Sequence, residues 1–211
     1  MNIKALIFLL KDITKQSPEP MSREIVSLFG KDPYLILVSC LLSLQNRDSV
    51  TLPVSINLFR VIKTPQDLLA LSRQELESYI SSVNYYKTKA QRLYDVSYDI
   101  IHRFGGTVPS TKEELMSMRG VGLKTANLVL AEAFDVPAIC VDTHVHRLSN
   151  HWGLVHTQTP EQTEIALQKI IPQKHWKSLN YWMVKWGQSI CKRLPCKNSD
   201  CVRIQNIVTS Q

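Results

Sequence analysis

No segment of the chain shows a sustained alternation of apolar and polar positions, which is the pattern of a half-buried strand. Almost every segment instead carries residues that start or stop a helix. The longest apolar stretch, Tyr34 to Leu44, is interrupted by Ser39 and Ser43 and falls well short of the ~20 residues that a membrane span needs. The pattern therefore predicts an all-α protein without a transmembrane helix.

Capping residues predict where five of the helices begin. Three of these starts place a capping side chain before a proline at the first helical position, where the missing N–H costs nothing. They are Asp32-Pro33, Thr64-Pro65 and Thr159-Pro160. Two more starts have the spacing of a capping box, Ser72 with Glu75 and Ser110 with Glu113. With stops at Gly30 and Gly105-Gly106, we expect short helices joined by short turns.

One segment predicts a pair of helices joined by a tight turn. Glu113 to Met118 forms the first helix, Arg119 to Gly122 the turn, and Leu123 to Phe134 the second helix. Gly120 and Gly122 allow unusual backbone conformations and the close approach of another backbone. The N–H groups at the start of the second helix can then hold a phosphate. A turn between helices that binds no ligand is the alternative.

Lys124 adds chemistry to this turn. It stands in the first turn of the second helix, where the positive end of the helix dipole disfavours a cation. The same electrostatics, together with partial desolvation, favour the neutral amine and make it a nucleophile near neutral pH. The hairpin and the lysine together indicate a site that binds phosphate and attacks an electrophile.

Composition changes this picture in one respect. The 211 residues are 44% hydrophobic and 20% charged, as in an ordinary globular protein of one domain or two small ones. The net charge of +7 favours a polyanionic partner, nucleic acid ahead of a membrane surface. The apolar residues from Ala5 to Leu10 are too few for a signal peptide, so we expect a cytoplasmic protein, associated with the nucleoid if bacterial.

Two motifs stand out in and after the hairpin, Gly120-Val121-Gly122-Leu123-Lys124-Thr125-Ala126-Asn127 and Val141-Asp142-Thr143-His144-Val145. Together they resemble the signature of endonuclease III, a family of the helix-hairpin-helix DNA glycosylase superfamily. Lys124 matches the lysine that forms a Schiff base in that family, and Asp142 matches its catalytic aspartate. The resemblance implies that these two residues are catalytic.

Further segments match the DNA-contacting parts of that family. Leu41-Leu42-Ser43-Leu44-Gln45 resembles its L-L-S-x-Q segment, and the resemblance implies that Gln45 enters the gap left by a flipped nucleotide. Asn84 to Ala90 resembles the loop of the second wedge residue, here Tyr85, although Asn84 replaces a usual glycine and Tyr85 a usual leucine or phenylalanine. The remaining DNA contacts implied by the resemblance are Lys89, Gly120, Val121, Gly122, Thr125 and His144.

The family implies a fold, a function and a partner. The fold is two-lobed, with a six-helix domain over 28–138 that contains the hairpin at about 111–134, and a helical lobe from 1–27 and 139–211. The function is base excision repair by a bifunctional glycosylase that removes oxidised pyrimidines and cleaves the abasic site by β-elimination. The partner is double-stranded DNA with a damaged base or abasic site, bound by a monomer, with no membrane involved. A helix-hairpin-helix protein that binds damaged or abasic DNA without catalysis is the alternative.

The carboxy-terminal cysteines depart from the family. Endonuclease III family members commonly end in C-x6-C-x2-C-x5-C, which holds a 4Fe-4S cluster on four thiolates. Here only Cys191, Cys196 and Cys201 are present, with altered spacing, so the loop over 191–201 is a degenerate version of that site. A cluster with a fourth ligand from elsewhere is one alternative, and a metal-free loop held by the packing of Trp176, Trp182 and Trp186 is the other.

The spacing of the histidines predicts no metal site. His144 and His146 are two residues apart on a helix and point to different faces, so they cannot bind one ion together. We therefore predict no zinc, and we assign His146, His151 and His156 no role.

Overall fold

The computed structural model describes residues 2–194, 196 and 198–209. Within these residues the chain forms thirteen α-helices and one short 3-10 helix, and no strand, which confirms the all-α prediction. The helices are α1 Ile3–Thr14, α2 Met21–Phe29, α3 Pro33–Ser43, α4 Asp48–Leu58, α5 Pro65–Ala70, α6 Arg73–Tyr79, α7 Tyr86–Arg103, α8 Lys112–Ser117, α9 Leu123–Ala133, α10 Thr143–His151, α11 Pro160–Ile170, the 3-10 helix Gln173–His175, α12 Trp176–Ser189 and α13 Ser199–Thr209. None of the helices in the described ranges has the length and apolar character of a membrane span.

Four of the five predicted helix starts are confirmed. The side chains of Asp32, Thr64, Ser72 and Thr159 each accept a hydrogen bond from the backbone N–H of the residue three positions later. The prediction for Ser110 is wrong by one residue, because Thr111 caps α8 and accepts from the N–H of Glu114 at 3.3 Å. Ser110 with Glu113 and Thr111 with Glu114 have the same capping-box spacing, so the local pattern does not separate the two registers.

Residues 21–136 form one compact unit, which contains α2 to α9. Helix α3 lies at its centre and packs against α2, α4, α7 and α9. Every residue of α3 from Tyr34 to Leu42 is buried, including Ser39, whose hydroxyl donates to the carbonyl of Ile36 at 2.8 Å. The long apolar stretch of the sequence is therefore the central helix of a globular core.

Residues 1–20 and 137–211 form the second unit, which contains α1 and α10 to α13. Helix α12 packs against α1 and α10. Trp186 of α12 meets Trp152 edge to face, with ring centroids 5.7 Å apart, and both side chains are fully buried. The buried ammonium of Lys185 is paired with Glu19 at 2.9 Å. The division of the chain into a six-helix domain over 28–138 and a terminal lobe stays a prediction.

Candidate functional site

The hairpin between α8 and α9 owes its shape to one of its two glycines. Gly120 has a φ of +89°, in the left-handed region that favours glycine, and a Cβ there would lie 2.9 Å from the Arg92 side chain. Gly122 has an ordinary φ of −93° and is the N-cap of α9, with open space around its missing Cβ. No side-chain hydrogen bond caps the start of α9, so this end of the helix is suited to an anion from outside.

The other predicted contacts of the hairpin are buried. Val121 belongs to the hydrophobic core, and Thr125 is buried in the first turn of α9. The Val121 N–H donates to the carbonyl of Met118 at 3.1 Å, within the turn. The structure therefore gives Val121 and Thr125 a part in packing the hairpin, while Gly122 is exposed.

Lys124 is the second residue of α9 and is partly exposed. Helix α9 packs on α3, where Cys40 is buried. Burial raises the pKa of the Cys40 thiol to about 12, and the positive charge of Lys124 acts on it in the opposite direction. Lys124 is thus close enough to the central helix to act on a buried thiol, and it lies in the first turn of a helix whose N-cap Gly122 makes no side-chain hydrogen bond.

The two predicted wedge residues share an unusual backbone conformation. Gln45 has a φ of +57° and Tyr85 a φ of +58°, although neither is glycine. Both residues are exposed, and Tyr85 exposes 67% of its surface. Asn84 ties the two loops together, because its side-chain amide donates to the Gln45 carbonyl at 2.9 Å and its backbone N–H donates to the Asn46 side chain at 2.9 Å. Two hydrogen bonds from Asn84 therefore join the loops of the two predicted wedge residues.

Lys89 binds the backbone just before Gln45 from the interior of the unit. Its ammonium donates to the carbonyls of Leu42 and Leu44, both at 2.7 Å, at the carboxyl end of α3. Only 2% of Lys89 is exposed, and burial together with the nearby Arg92 charge lowers the pKa of its ammonium to about 8. Lys89 is thus buried on two carbonyls and holds the Gln45 loop, and its contact with DNA stays a prediction.

Asp142 lies in the other unit, at the start of α10. Its carboxylate accepts a hydrogen bond from the N–H of Val145 at 2.8 Å, so it is the N-cap of this helix. His144, two residues on, is packed so closely against Gly187 of α12 that a Cβ on Gly187 would lie 2.5 Å from the His144 Cβ. The position of the helix that carries Asp142 therefore depends on a glycine that the sequence reasoning missed.

The three carboxy-terminal cysteines come together with a histidine. One ligand atom each of His151, Cys191, Cys196 and Cys201 lies within 4.8 Å of the others, an arrangement compatible with a metal site. His151 is the last residue of α10, and Cys201 lies in the first turn of α13. The fold thus brings His151, to which the sequence assigns no role, to cysteines forty or more residues away in the sequence.

Polar groups around these cysteines point to a ligand. The Nε2 atom of His151 is buried and has no hydrogen-bond partner among the described residues. The Arg147 guanidinium donates to the Cys191 sulfur at 3.2 Å and also to the Cys191 carbonyl. The Cys196 and Cys201 sulfurs are 3.3 Å apart, and all three thiols are free.

Comparisons with known proteins identify the family of the chain. A family model described as HhH-GPD superfamily base excision DNA repair protein matches residues 38–173. Endonuclease III of Thermotoga maritima is 44% identical over 179 residues, which are 82% of this chain and 84% of that protein. Endonuclease III of Bacillus subtilis is 33% identical over 202 residues, 95% of this chain and 90% of that protein.

Solved structures give the same result. The chain matches a non-covalent Endonuclease III-DNA complex with a TM-score of 0.84 and 31% identity, over 96% of this chain and 92% of that one. It matches a trapped Endonuclease III-DNA covalent intermediate with a TM-score of 0.77 and 31% identity, over 93% of this chain and 91% of that one.

Proposed function

This chain belongs to the HhH-GPD superfamily of base excision DNA repair proteins, and we propose that it excises oxidised pyrimidines and then cleaves the abasic site. It is a DNA glycosylase and abasic-site lyase of the endonuclease III type, and its partner is DNA with a damaged base. The observation that carries the proposed chemistry is the position of Lys124 in the first turn of α9, directly after a glycine turn that leaves the helix uncapped.

Base excision begins with exposure of the glycosidic bond. The bond is inaccessible within the base stack, so the nucleotide has to be flipped out at a cost of a few kcal/mol. Gln45 and Tyr85, exposed on loops that Asn84 links, are suited to fill the vacated space together. Gly122 and the uncapped end of α9 would bind a backbone phosphate, which offsets part of the cost of flipping.

Lys124 would then act as the nucleophile. Its neutral amine attacks C1′ of the sugar while the glycosidic bond breaks and its electron pair leaves with the base, which takes up a proton. The lysine nitrogen then expels the ring oxygen from C1′, so that the C1′–O4′ bond breaks, O4′ takes up a proton and an imine forms between C1′ and the lysine nitrogen. The imine draws electrons from the sugar, so that C2′ loses a proton and the C3′–O bond breaks, with the electron pair leaving on the 3′ phosphate. Water then hydrolyses the imine and frees the lysine.

Asp142 would stabilise the positive charge that develops on the sugar as the base leaves. It would also accept a proton from the attacking amine and so keep Lys124 neutral at the moment of attack. Its carboxylate has one oxygen engaged with the Val145 N–H, which holds the group in a defined orientation.

The cofactor is a separate matter from this chemistry. The resemblance implies a 4Fe-4S cluster at the carboxy-terminal cysteines, yet this chain offers three thiolates and His151 where such a cluster takes four thiolates. Each step above runs through Lys124, Asp142 and the DNA, and none needs a metal. We further propose that the protein acts as a monomer in the cytoplasm, where its DNA substrate lies.

Borohydride trapping tests the proposed function. The protein is mixed with one duplex that carries thymine glycol and another that carries a preformed abasic site, and the imine is reduced to a stable covalent product. We expect trapping on both duplexes with the native chain and none with Lys124→Gln. Lys169→Gln removes the same positive charge at an exposed lysine, and we expect this control to be trapped like the native chain.

The other outcomes are equally informative. Trapping on the abasic duplex alone would show a lyase with a different base preference. Absence of trapping on both duplexes, with DNA binding retained, would overturn the catalytic proposal in favour of a protein that only binds damaged DNA.

A further inference from the structure

The four donors at the carboxy-terminal end are spaced for a single ion. In a tetrahedral zinc site with Zn–S bonds of 2.3 Å, neighbouring sulfurs lie about 3.7 Å apart. Here the ligand atoms of His151, Cys191, Cys196 and Cys201 all lie within 4.8 Å of one another, and the Cys196 and Cys201 sulfurs are 3.3 Å apart. The separations therefore match donors that share one metal ion.

The same separations do not fit a 4Fe-4S cluster. Each cysteine of such a cluster binds a different iron and points outward from it, so the sulfurs lie about 6 Å apart. The donors here are closer together than that, and one of the four is an imidazole. The chain thus departs from the cluster in the number of thiolates, in their sequence spacing and in the distances between them.

We propose that His151, Cys191, Cys196 and Cys201 bind one zinc ion in a tetrahedral Cys3His site in place of an iron–sulfur cluster. Three cysteines and one histidine are an established donor set for structural zinc. The buried Nε2 atom of His151, which lacks a hydrogen-bond partner within the described ranges, provides the nitrogen donor. Because all four positions of the tetrahedron come from the protein, the site is closed to water and has a structural role.

The surroundings compensate the charge of such a site. Three thiolates, a neutral imidazole and Zn²⁺ leave a net charge of about −1, which is costly to bury. The Arg147 guanidinium supplies the opposite charge through its 3.2 Å contact with the Cys191 sulfur. The buried indole N–H groups of Trp152 and Trp186 lie beside the Cys201 sulfur and have no hydrogen-bond partner in the described part of the chain. A metal-bound thiolate accepts such N–H groups and is oriented by them.

Metal analysis of the purified chain tests the site directly. Cells are grown with both iron and zinc, and the protein is purified anaerobically without added metal. We expect about one zinc per chain, no acid-labile sulfide and no visible absorbance. X-ray absorption at the zinc edge is expected to show three sulfurs at about 2.3 Å and one nitrogen at about 2.0 Å.

Variants of two histidines identify the nitrogen donor. His151→Ala is expected to lower zinc affinity by more than the roughly 10- to 100-fold that loss of an outer-shell partner costs, whereas His156→Ala, at an exposed histidine, leaves it unchanged. His151→Cys keeps a donor at that position, so it should retain about one zinc while the nitrogen scatterer disappears. This variant keeps the test decisive if His151→Ala does not fold.

Three results would overturn the proposal. Several irons with matching sulfide would show a cluster, and one iron without sulfide would show a mononuclear iron site. A Cys196–Cys201 disulfide, with no zinc taken up after reduction, would show that the cysteines pair with each other. Metal content is measured without any repair assay, so these results are independent of the proposed catalysis.

Discussion

At the scale of single residues, one of the two proposed catalytic groups is also structural. Asp142 caps α10, and Lys124 occupies the first turn of α9. A substitution of Asp142 therefore changes the fold and the chemistry at once, unless the replacement keeps one role and removes the other. Asparagine does so at position 142, because it caps a helix about as well as aspartate but carries no charge.

Asp142→Asn should separate the two roles of this residue. We expect its free energy of unfolding to stay within about 0.5 kcal/mol of the native value, and base excision to fall by about 100-fold or more because charge stabilisation is lost. Asp142→Ala should lose about 1 kcal/mol of stability in addition. Chemical denaturation and single-turnover excision measure the two effects, and full activity in Asp142→Asn would leave Asp142 as a cap only.

The two hairpin glycines should respond differently to the same change. Gly120→Ala forces an L-residue into the left-handed region and against Arg92, so we expect a loss of about 1–2 kcal/mol of stability. Gly122→Ala meets no neighbour and should cost at most about 1 kcal/mol. Its methyl group stands where a phosphate would approach, so its affinity for duplex DNA should fall in fluorescence anisotropy. Unchanged affinity would place the phosphate elsewhere.

At the scale of helices, the starts of α4, α7 and α9 have no side-chain cap, at Arg47, Tyr85 and Gly122. These are the helices that follow the Gln45 loop, the Tyr85 loop and the hairpin glycines, which the sequence motifs assign to DNA contact. Uncapped helix starts leave N–H groups for an outside acceptor. The carboxyl end of α3 has the opposite need, and the Lys89 ammonium meets it by binding two carbonyls.

The buried Lys89 predicts a pH dependence of stability. Its pKa is about 8 in the folded chain, against an ordinary value near 10.4, so between these values the unfolded state binds more protons and stability rises with pH. Relative to Lys89→Met, the native chain should gain about 1–2 kcal/mol between pH 7 and pH 9.5. Denaturation at both pH values measures this, with exposed Lys87→Met in the same helix as the control. A constant difference would contradict burial of a charged ammonium.

Local sequence signals predict where many of the helices start. Contacts between residues distant in the sequence cannot be predicted from such signals. The helices after Asp32, Thr64 and Thr159 are predictable because a capping side chain binds an N–H only three residues away. Lys89 looks like a surface charge in the sequence, since the carbonyls that it binds are more than forty residues away. His151 escaped notice for the same reason, because a metal motif is recognised by close spacing and its partners begin at Cys191.

At the scale of the whole molecule, the charge of +7 and the uncapped start of α9 both favour an anionic partner. DNA binding that rests on phosphates releases counterions, and each neutralised phosphate contributes about −0.9 to the slope of log affinity against log salt. Charge therefore governs how the protein finds DNA, whereas the motifs govern what it does there.

The affinity for an undamaged duplex should fall steeply as salt rises. We expect a logarithmic slope of about −3 to −6, which corresponds to several phosphate contacts. Asp142→Asn, measured alongside, should have a slope within error of the native one if the residue acts in the chemical step. A slope near zero would contradict phosphate-based binding by this basic chain.

Helix α10 carries a proposed catalytic group at one end and a metal donor at the other, Asp142 before its first residue and His151 as its last. Nine residues of helix span about 13 Å, and the proposed metal would fix the His151 end of α10. A rotation of the helix about that end would therefore displace Asp142. A tilt of about 5° at His151 would move Asp142 by about 1 Å, a misplacement that can cost about 100-fold in rate. A metal that takes no part in the reaction can thus set the accuracy with which the carboxylate is aimed.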